Sequence, residues 1–301
     1  MKTVFFTDKF GITISGGLFL PHNLNSDQKY PCIVISGPAG SVKEQTSGLY
    51  ALKLSQKGFI TLSIDCPFQG QSSGQPRFQE IPAARIESIC SAIDYLATLP
   101  YADEKKIGAL GICVGGGYVA SAAMTERRIK AIGLCSPVDA GREMRENNIE
   151  KTIKKLEEIA DLRTLEVRGA EPELIPMMPD EYKTSKDPDH KKAYEYYNNP
   201  NRGMVKNWDN KIRLSSMGSV MAFDAFYLAE KLLTQPIQII VGDIAGAFNA
   251  WKDAHTIYDK AASKNKQLEV FKGACHIDLY DNLEYVNKAV KIFDDFFKKF
   301  L

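Results

Sequence analysis

Four of the seven residues in Gly111-Ile112-Cys113-Val114-Gly115-Gly116-Gly117 are glycine, and this run constrains the fold more than any other. A short apolar stretch, Lys106 to Leu110, precedes it, and a run of small residues, Tyr118 to Met124, follows. A buried strand that bends straight into a helix leaves no room for a β-carbon beside the bend, and glycine meets that demand. The side chain at the tip, Cys113, is then held in a strained conformation at the position of a nucleophile. A thiol there points to acyl transfer through sulfur. The helix beginning just after it turns the positive end of its dipole toward a thiolate, so Cys113 is expected to ionise readily.

The flanking chain alternates strand and helix. Val4 to Thr7 and Ile12 to Leu20 read as an opening hairpin around Gly11. Cys32 to Ser36, Phe59 to Ile64, Ile107 to Ile112 and Ile129 to Leu134 read as strands, with helical spacing over Val42 to Lys57 and Ile86 to Leu99. This rhythm predicts a mostly parallel sheet covered by helices on both faces. It stops at Pro137. Asp139 to about Asn210 is charged and helical, clearest at Lys151 to Ile159, and is punctuated by prolines. Met177, Met178, Tyr194, Tyr196, Tyr197 and Trp208 make it too apolar for a free linker. Residues 139–210 therefore read as a helical cap inserted into a core made of 1–138 and 211–301. The rhythm resumes with a helix over Val220 to Leu233, a strand at Ile237 to Val241, a helix at Ala250 to Ala262, a strand at Leu268 to Phe271 and a C-terminal helix, Leu283 to Phe300.

A formal charge of +1 over 301 residues gives no electrostatic footprint for nucleic acid or an anionic membrane. The N-terminal residues meet charge too soon for a secretory signal, and no run is long enough to span a bilayer. Six cysteines without C-x-x-C pairing suggest reduced thiols in a cytoplasmic protein, with no metal-ligand spacing. The Gly115–Gly117 triplet lacks the G-x-G-x-x-G pattern, and there is no Walker lysine, so no cofactor is expected.

Strand, elbow, insertion, strand, helix, strand and late histidine, in this order, resemble the α/β-hydrolase fold along nearly the whole chain. The similarity is to dienelactone-hydrolase-like members, some of which carry Cys in the elbow. Val42-Lys43-Glu44-Gln45, Pro76-Arg77-Phe78 and His276-Ile277-Asp278-Leu279-Tyr280-Asp281 resemble segments of a cap-bearing bacterial and fungal group. That group includes fungal polyketide acyl transferases. The resemblance implies an eight-stranded, mostly parallel sheet with a helical cap, and a triad ordered nucleophile, acid, base.

Cys113 is the candidate nucleophile. Of four histidines, only His276 follows a late strand across a short loop, so it is the candidate base. Where the family usually places its acid, as Gly-x-x-Asp, this chain has Gly242-Asp243-Ile244-Ala245. The expected position therefore holds alanine. Asp243, two residues early, Asp139 after the preceding strand, or no acid at all remain the alternatives; a Cys–His pair can work without a strong acid. An oxyanion hole needs two backbone N–H groups, which Val114 and the loop Gly37-Pro38-Ala39-Gly40-Ser41 can supply. Pro38 has no N–H, which leaves Ala39 or Gly40 to donate. Gly37 stands where many relatives carry His. Arg77 and Arg85 flank the loop–helix junction; Arg77 could hold a substrate carboxylate or phosphate, although a solvated or ion-paired role is favoured over that one. Glu44 reads as a helix N-terminal surface residue, and Asp65 as the organiser of the Gln69–Ser72 loop.

The expected activity is hydrolysis of ester, thioester or lactone carbonyls, or acyl transfer, on a small-molecule acyl substrate and without cofactor. A catalytically silent small-molecule binding protein is the alternative. A prolyl-type peptidase fits poorly, because that group uses serine. The C-terminal aromatics suit either a homodimer or the core.

Overall fold

A computed structural model of the chain describes residues 1–146 and 148–301. Ten strands and eleven helices follow in order: β1 (Lys2–Thr7), β2 (Thr13–Phe19), β3 (Tyr30–Ser36), α1 (Thr46–Ser55), β4 (Ile60–Ile64), α2 (Pro82–Ala97), β5 (Ala102–Ile112), α3 (Val114–Thr125), β6 (Ile129–Cys135), α4 (Ala140–Glu146), α5 (Ile149–Val167), β7 (Leu174–Ile175), α6 (Pro188–Tyr197), β8 (Ile212–Arg213), α7 (Met217–Ala222), α8 (Ala229–Leu232), β9 (Ile237–Gly242), α9 (Ala250–Lys260), β10 (Lys266–Phe271), α10 (Asp278–Asp281) and α11 (Leu283–Phe300). Eight strands form one sheet in the order β1-β2-β4-β3-β5-β6-β9-β10. β2 pairs antiparallel with β1 and β4, and every other pair is parallel.

The central strands are covered on both faces, which is why they read as unbroken apolar runs. Ile33, Val34 and Ile35 of β3 and Ala109, Leu110 and Ile112 of β5 are fully buried. Helix α11 buries a stripe of Val286, Ala289, Val290, Phe293 and Phe297, at the three-and-four spacing of one helix face. Glycines in the sheet receive its rings. A β-carbon at Gly108 would stand 2.7 Å from Phe297, and one at Gly133 would stand 2.9 Å from Phe293.

Between β6 and β9 the chain leaves the sheet and builds α4 to α8, with β7 and β8 paired as a short antiparallel ribbon. Helix α5 is longer than the sequence periodicity indicates. The single helix expected over Val220 to Leu233 is two short helices instead. Arg145 donates to the carbonyls of Met221 (2.7 Å) and Phe223, which closes the first. Asp224 accepts from Phe226 N–H, and Leu228 takes φ 63°, which sets the start of the second. Among the described residues, no helix is long and apolar enough to cross a membrane.

Candidate active site

In a doubly wound sheet the loops at the carboxyl ends of the central strands meet in one crevice. Here those loops carry Gly37–Ser41 after β3, Cys113 after β5 and His276 after β10. Cys113 has φ 59° and ψ −131°, a conformation that costs a non-glycine residue on the order of 1–3 kcal/mol. Tight packing fixes it. A β-carbon at Gly111 would lie 2.3 Å from the Gly115 carbonyl, and one at Gly115 would lie 2.3 Å from Ser36 O and 2.6 Å from Gly37 O. The loop after β3 therefore rests directly on the first turn of α3.

Cys113 is 8 % exposed and His276 is 3 % exposed. Between them stands Tyr280, fully buried on α10. Its hydroxyl lies 3.1 Å from His276 Nε2 and also touches the Cys113 thiol, lowering the thiol's pKa. Burial nevertheless dominates: it pushes Cys113 up to about 11, against the opposing influences of Tyr280, the Val114 N–H and the Arg85 guanidinium. The Asp189 carboxylate pushes it further up. Burial also pushes His276 down to about 3. The resting site thus holds a neutral thiol and a neutral imidazole. The readily ionised thiolate expected from the helix dipole is outweighed by desolvation.

The remaining candidate residues divide. Val114 opens α3, with its N–H toward the Cys113 sulfur. The turn after β3 is closed by Ser41 N–H to Pro38 O (3.2 Å), which leaves the Ala39 and Gly40 N–H groups outside its own hydrogen bond. Gly37 O accepts from Arg85 at 2.8 Å, so this loop is braced by a buried arginine. Arg77 is half-buried and donates to the carbonyls of Ser72 and Gly70, so its guanidinium ties down the 67–80 loop rather than facing the thiol. Asp243 is exposed and accepts from Gly273 N–H at 2.7 Å; it makes no bond to the His276 ring. Asp139 is buried but accepts from the Gly141 and Arg142 N–H groups at the start of α4. Among the described residues, His276 Nδ1 has no hydrogen-bond partner.

Two residues that sequence reasoning missed, Tyr280 and Asp189, stand at this site. Tyr280 lies at i+4 from His276, a spacing visible in the sequence. Arg85, named with Arg77 at the loop–helix junction, is 2 % exposed, ion-paired with Glu80 at 3.0 Å and set over the Tyr118 ring. Asp189, on α6, is 1 % exposed; its Oδ1 accepts from His276 N–H (3.3 Å) and its Oδ2 from Phe248 N–H (3.2 Å). Glu44 also differs from expectation: it bridges Lys43 and Asn207, both at 3.0 Å, and so links the core to the inserted segment. Asp65 does organise its loop, accepting from Gln71 N–H at 2.9 Å.

The insertion, together with Phe248 of the loop after β9, covers the site with aromatic and sulfur side chains. Tyr197 stacks on Trp208 at 4.9 Å, Tyr196 meets Tyr280 edge-on at 5.4 Å, Phe248 meets His276 at 5.2 Å, and Met177 rests on Gly40.

A family model described as "Esterase FrsA-like" matches residues 1–149. Protein YcjY of Escherichia coli K12 is 39% identical over 295 residues, spanning 96% of this chain and 95% of that protein. The chain belongs to the YcjY family. The solved structure of the alpha/beta hydrolase GrgF from Penicillium sp. sh18 superposes with a TM-score of 0.82 at 21% identity, over 99% of this chain and 98% of that one. The eight-stranded sheet and its helices thus have the α/β-hydrolase fold. A protein named thiohydrolase from Eupenicillium brefeldianum is 22% identical over 278 residues, covering 91% of this chain and 87% of that protein.

Proposed function

We propose that this chain is an acyl hydrolase or acyl transferase that acts on ester, thioester or lactone carbonyls through Cys113 and His276. One observation carries the reading: Cys113 occupies a positive-φ bend between β5 and α3, joined to the His276 ring through the Tyr280 hydroxyl. The thiol attacks the carbonyl carbon as its proton passes to His276 Nε2, directly or across Tyr280. Both groups are neutral at rest, so this transfer accompanies attack instead of preceding it. The Val114 and Ala39 N–H groups hold the developing oxyanion. The bond to the leaving group then breaks, and the imidazolium returns its proton to that group. This leaves an acyl thioester on Cys113. Water or a second acceptor, deprotonated by His276, repeats the sequence and frees the thiol.

The cover of Tyr197, Trp208, Phe248 and Met177 favours an apolar or aromatic acyl group. The esterase family model and the thiohydrolase relative support carbonyl substrates with oxygen or sulfur leaving groups. A panel of p-nitrophenyl esters, acyl-CoA thioesters and lactones tests the reading. At least one class should turn over, with a loss on the order of 10³-fold in Cys113→Ala. The silent-binder alternative draws on the Cys113 thiol being as hard to ionise as those of Cys90 and Cys275, all near 11. It predicts no turnover on the whole panel, with ligand-induced stabilisation unchanged in Cys113→Ala.

A further inference from the structure

We propose that the carboxylate partner of His276 is Asp189, delivered by the inserted segment instead of the core. This deepens the Cys113–His276 reading and rests on it. For Nε2 to accept a proton, the neutral ring must carry its hydrogen on Nδ1. That atom is buried and has no partner among the described residues. An unpaired buried N–H costs on the order of 1–3 kcal/mol, so a working base of this kind calls for an acceptor there. The Asp189 carboxylate already accepts from the backbone N–H of His276 itself, and each of its oxygens retains a further lone pair.

The space around Asp189 argues the same way. The loop after β9, where this fold ordinarily carries its acid, has Ala245 at that position and Gly246 next to it. A β-carbon at Gly246 would stand 2.3 Å from Asp189 Cγ. The core loop is thus trimmed to glycine where the carboxylate of α6 enters. Asp139 and Asp243 are engaged elsewhere, at Gly141 and Gly273.

Helix α6 and the turn after it are clamped to the loop that bears His276 and Tyr280. Lys192 holds both oxygens of Asp278 at 2.7 Å, and Arg202 pairs with Asp281 at 2.6 Å. Gln45 beside the oxyanion turn donates to Gly203 O at 2.6 Å. Asp189 therefore lies beside His276 because the insertion is docked on this loop.

The test compares Asp189→Asn, Asp189→Glu, Asp243→Asn, Cys113→Ala and His276→Ala on a p-nitrophenyl ester and an N-acetylcysteamine thioester. Asp189→Asn should lower kcat on the order of 10²-fold or more, with KM within about threefold. Asp189→Glu should recover part of that loss. A downfield imidazole Nδ1–H resonance of His276 should be present in wild type and Asp243→Asn and absent in Asp189→Asn. Wild-type protein lacking that resonance overturns the proposal even if Asp189→Asn does not fold. So does a loss of kcat confined to Asp243→Asn. Turnover that survives Cys113→Ala ends the functional reading and this inference with it. Turnover lost in Cys113→Ala and His276→Ala but kept in Asp189→Asn overturns the inference alone.

Discussion

Iodoacetamide reacts with thiolate, so its rate at Cys113 reports the ionisation of that one side chain. Burial holds this thiol at about 11. At pH 7 the thiolate fraction is then on the order of 10⁻⁴, whereas an ordinary cysteine near 8.5 is about 3 % ionised, roughly 300-fold more. His276, pushed down to about 3, carries no imidazolium charge at neutral pH to stabilise a thiolate. The rate at Cys113, followed by peptide mass mapping, should therefore rise close to tenfold per pH unit between about pH 6 and 9, without a plateau. His276→Ala should leave that slope intact. A plateau with its midpoint below about pH 7, abolished by His276→Ala, would mean that a thiolate–imidazolium pair exists at rest. The account of a neutral site that transfers its proton during attack would then be wrong.

Gly115→Ala places a β-carbon 2.3 Å from one backbone carbonyl and 2.6 Å from another, neither of which can swing aside. It should cost more than about 2 kcal/mol in urea unfolding and at least about 10²-fold in kcat/KM, through displacement of the β3 turn. Tyr280→Phe keeps the ring contacts but leaves Nε2 without its hydroxyl; kcat should fall about 10- to 100-fold with the melting temperature little changed. Stability should also depend on His276. Its pKa falls from an ordinary 6.5 to about 3 on folding, so the unfolded chain binds the extra proton and stability is lost as pH drops from about 6.5 toward 3. Asp189 and Asp139, raised to about 6, act with the opposite sign between about 4 and 6. Comparing urea midpoints at pH 7 and pH 5, His276→Gln should lose up to about 2 kcal/mol less than wild type.

The features legible in the sequence are those whose cause is local. The elbow is readable because a strand-to-helix bend demands glycine at fixed offsets. His276 is readable because its loop is short and its strand apolar. Asp189 is not readable in this way: it lies 87 positions from the histidine whose N–H it holds, and only the docking of α6 joins them. The broken helix at Phe223 and the buried Arg85 have the same origin, since partners distant in sequence, Arg145 and Gly37, decide them. Thiol ionisation is not legible for a further reason. The helix dipole follows from position along the chain, whereas the desolvation that outweighs it depends on what the insertion covers.

The central claim is that Cys113 becomes acylated. Wild-type protein mixed with a slowly released acyl thioester, quenched in acid and digested, gives a direct answer by peptide mass mapping. The account predicts the acyl mass on the Cys113 peptide, accumulating in Asp189→Asn and absent in Cys113→Ala. Steady turnover with the acyl group on another residue, or undiminished in Cys113→Ala, would contradict it.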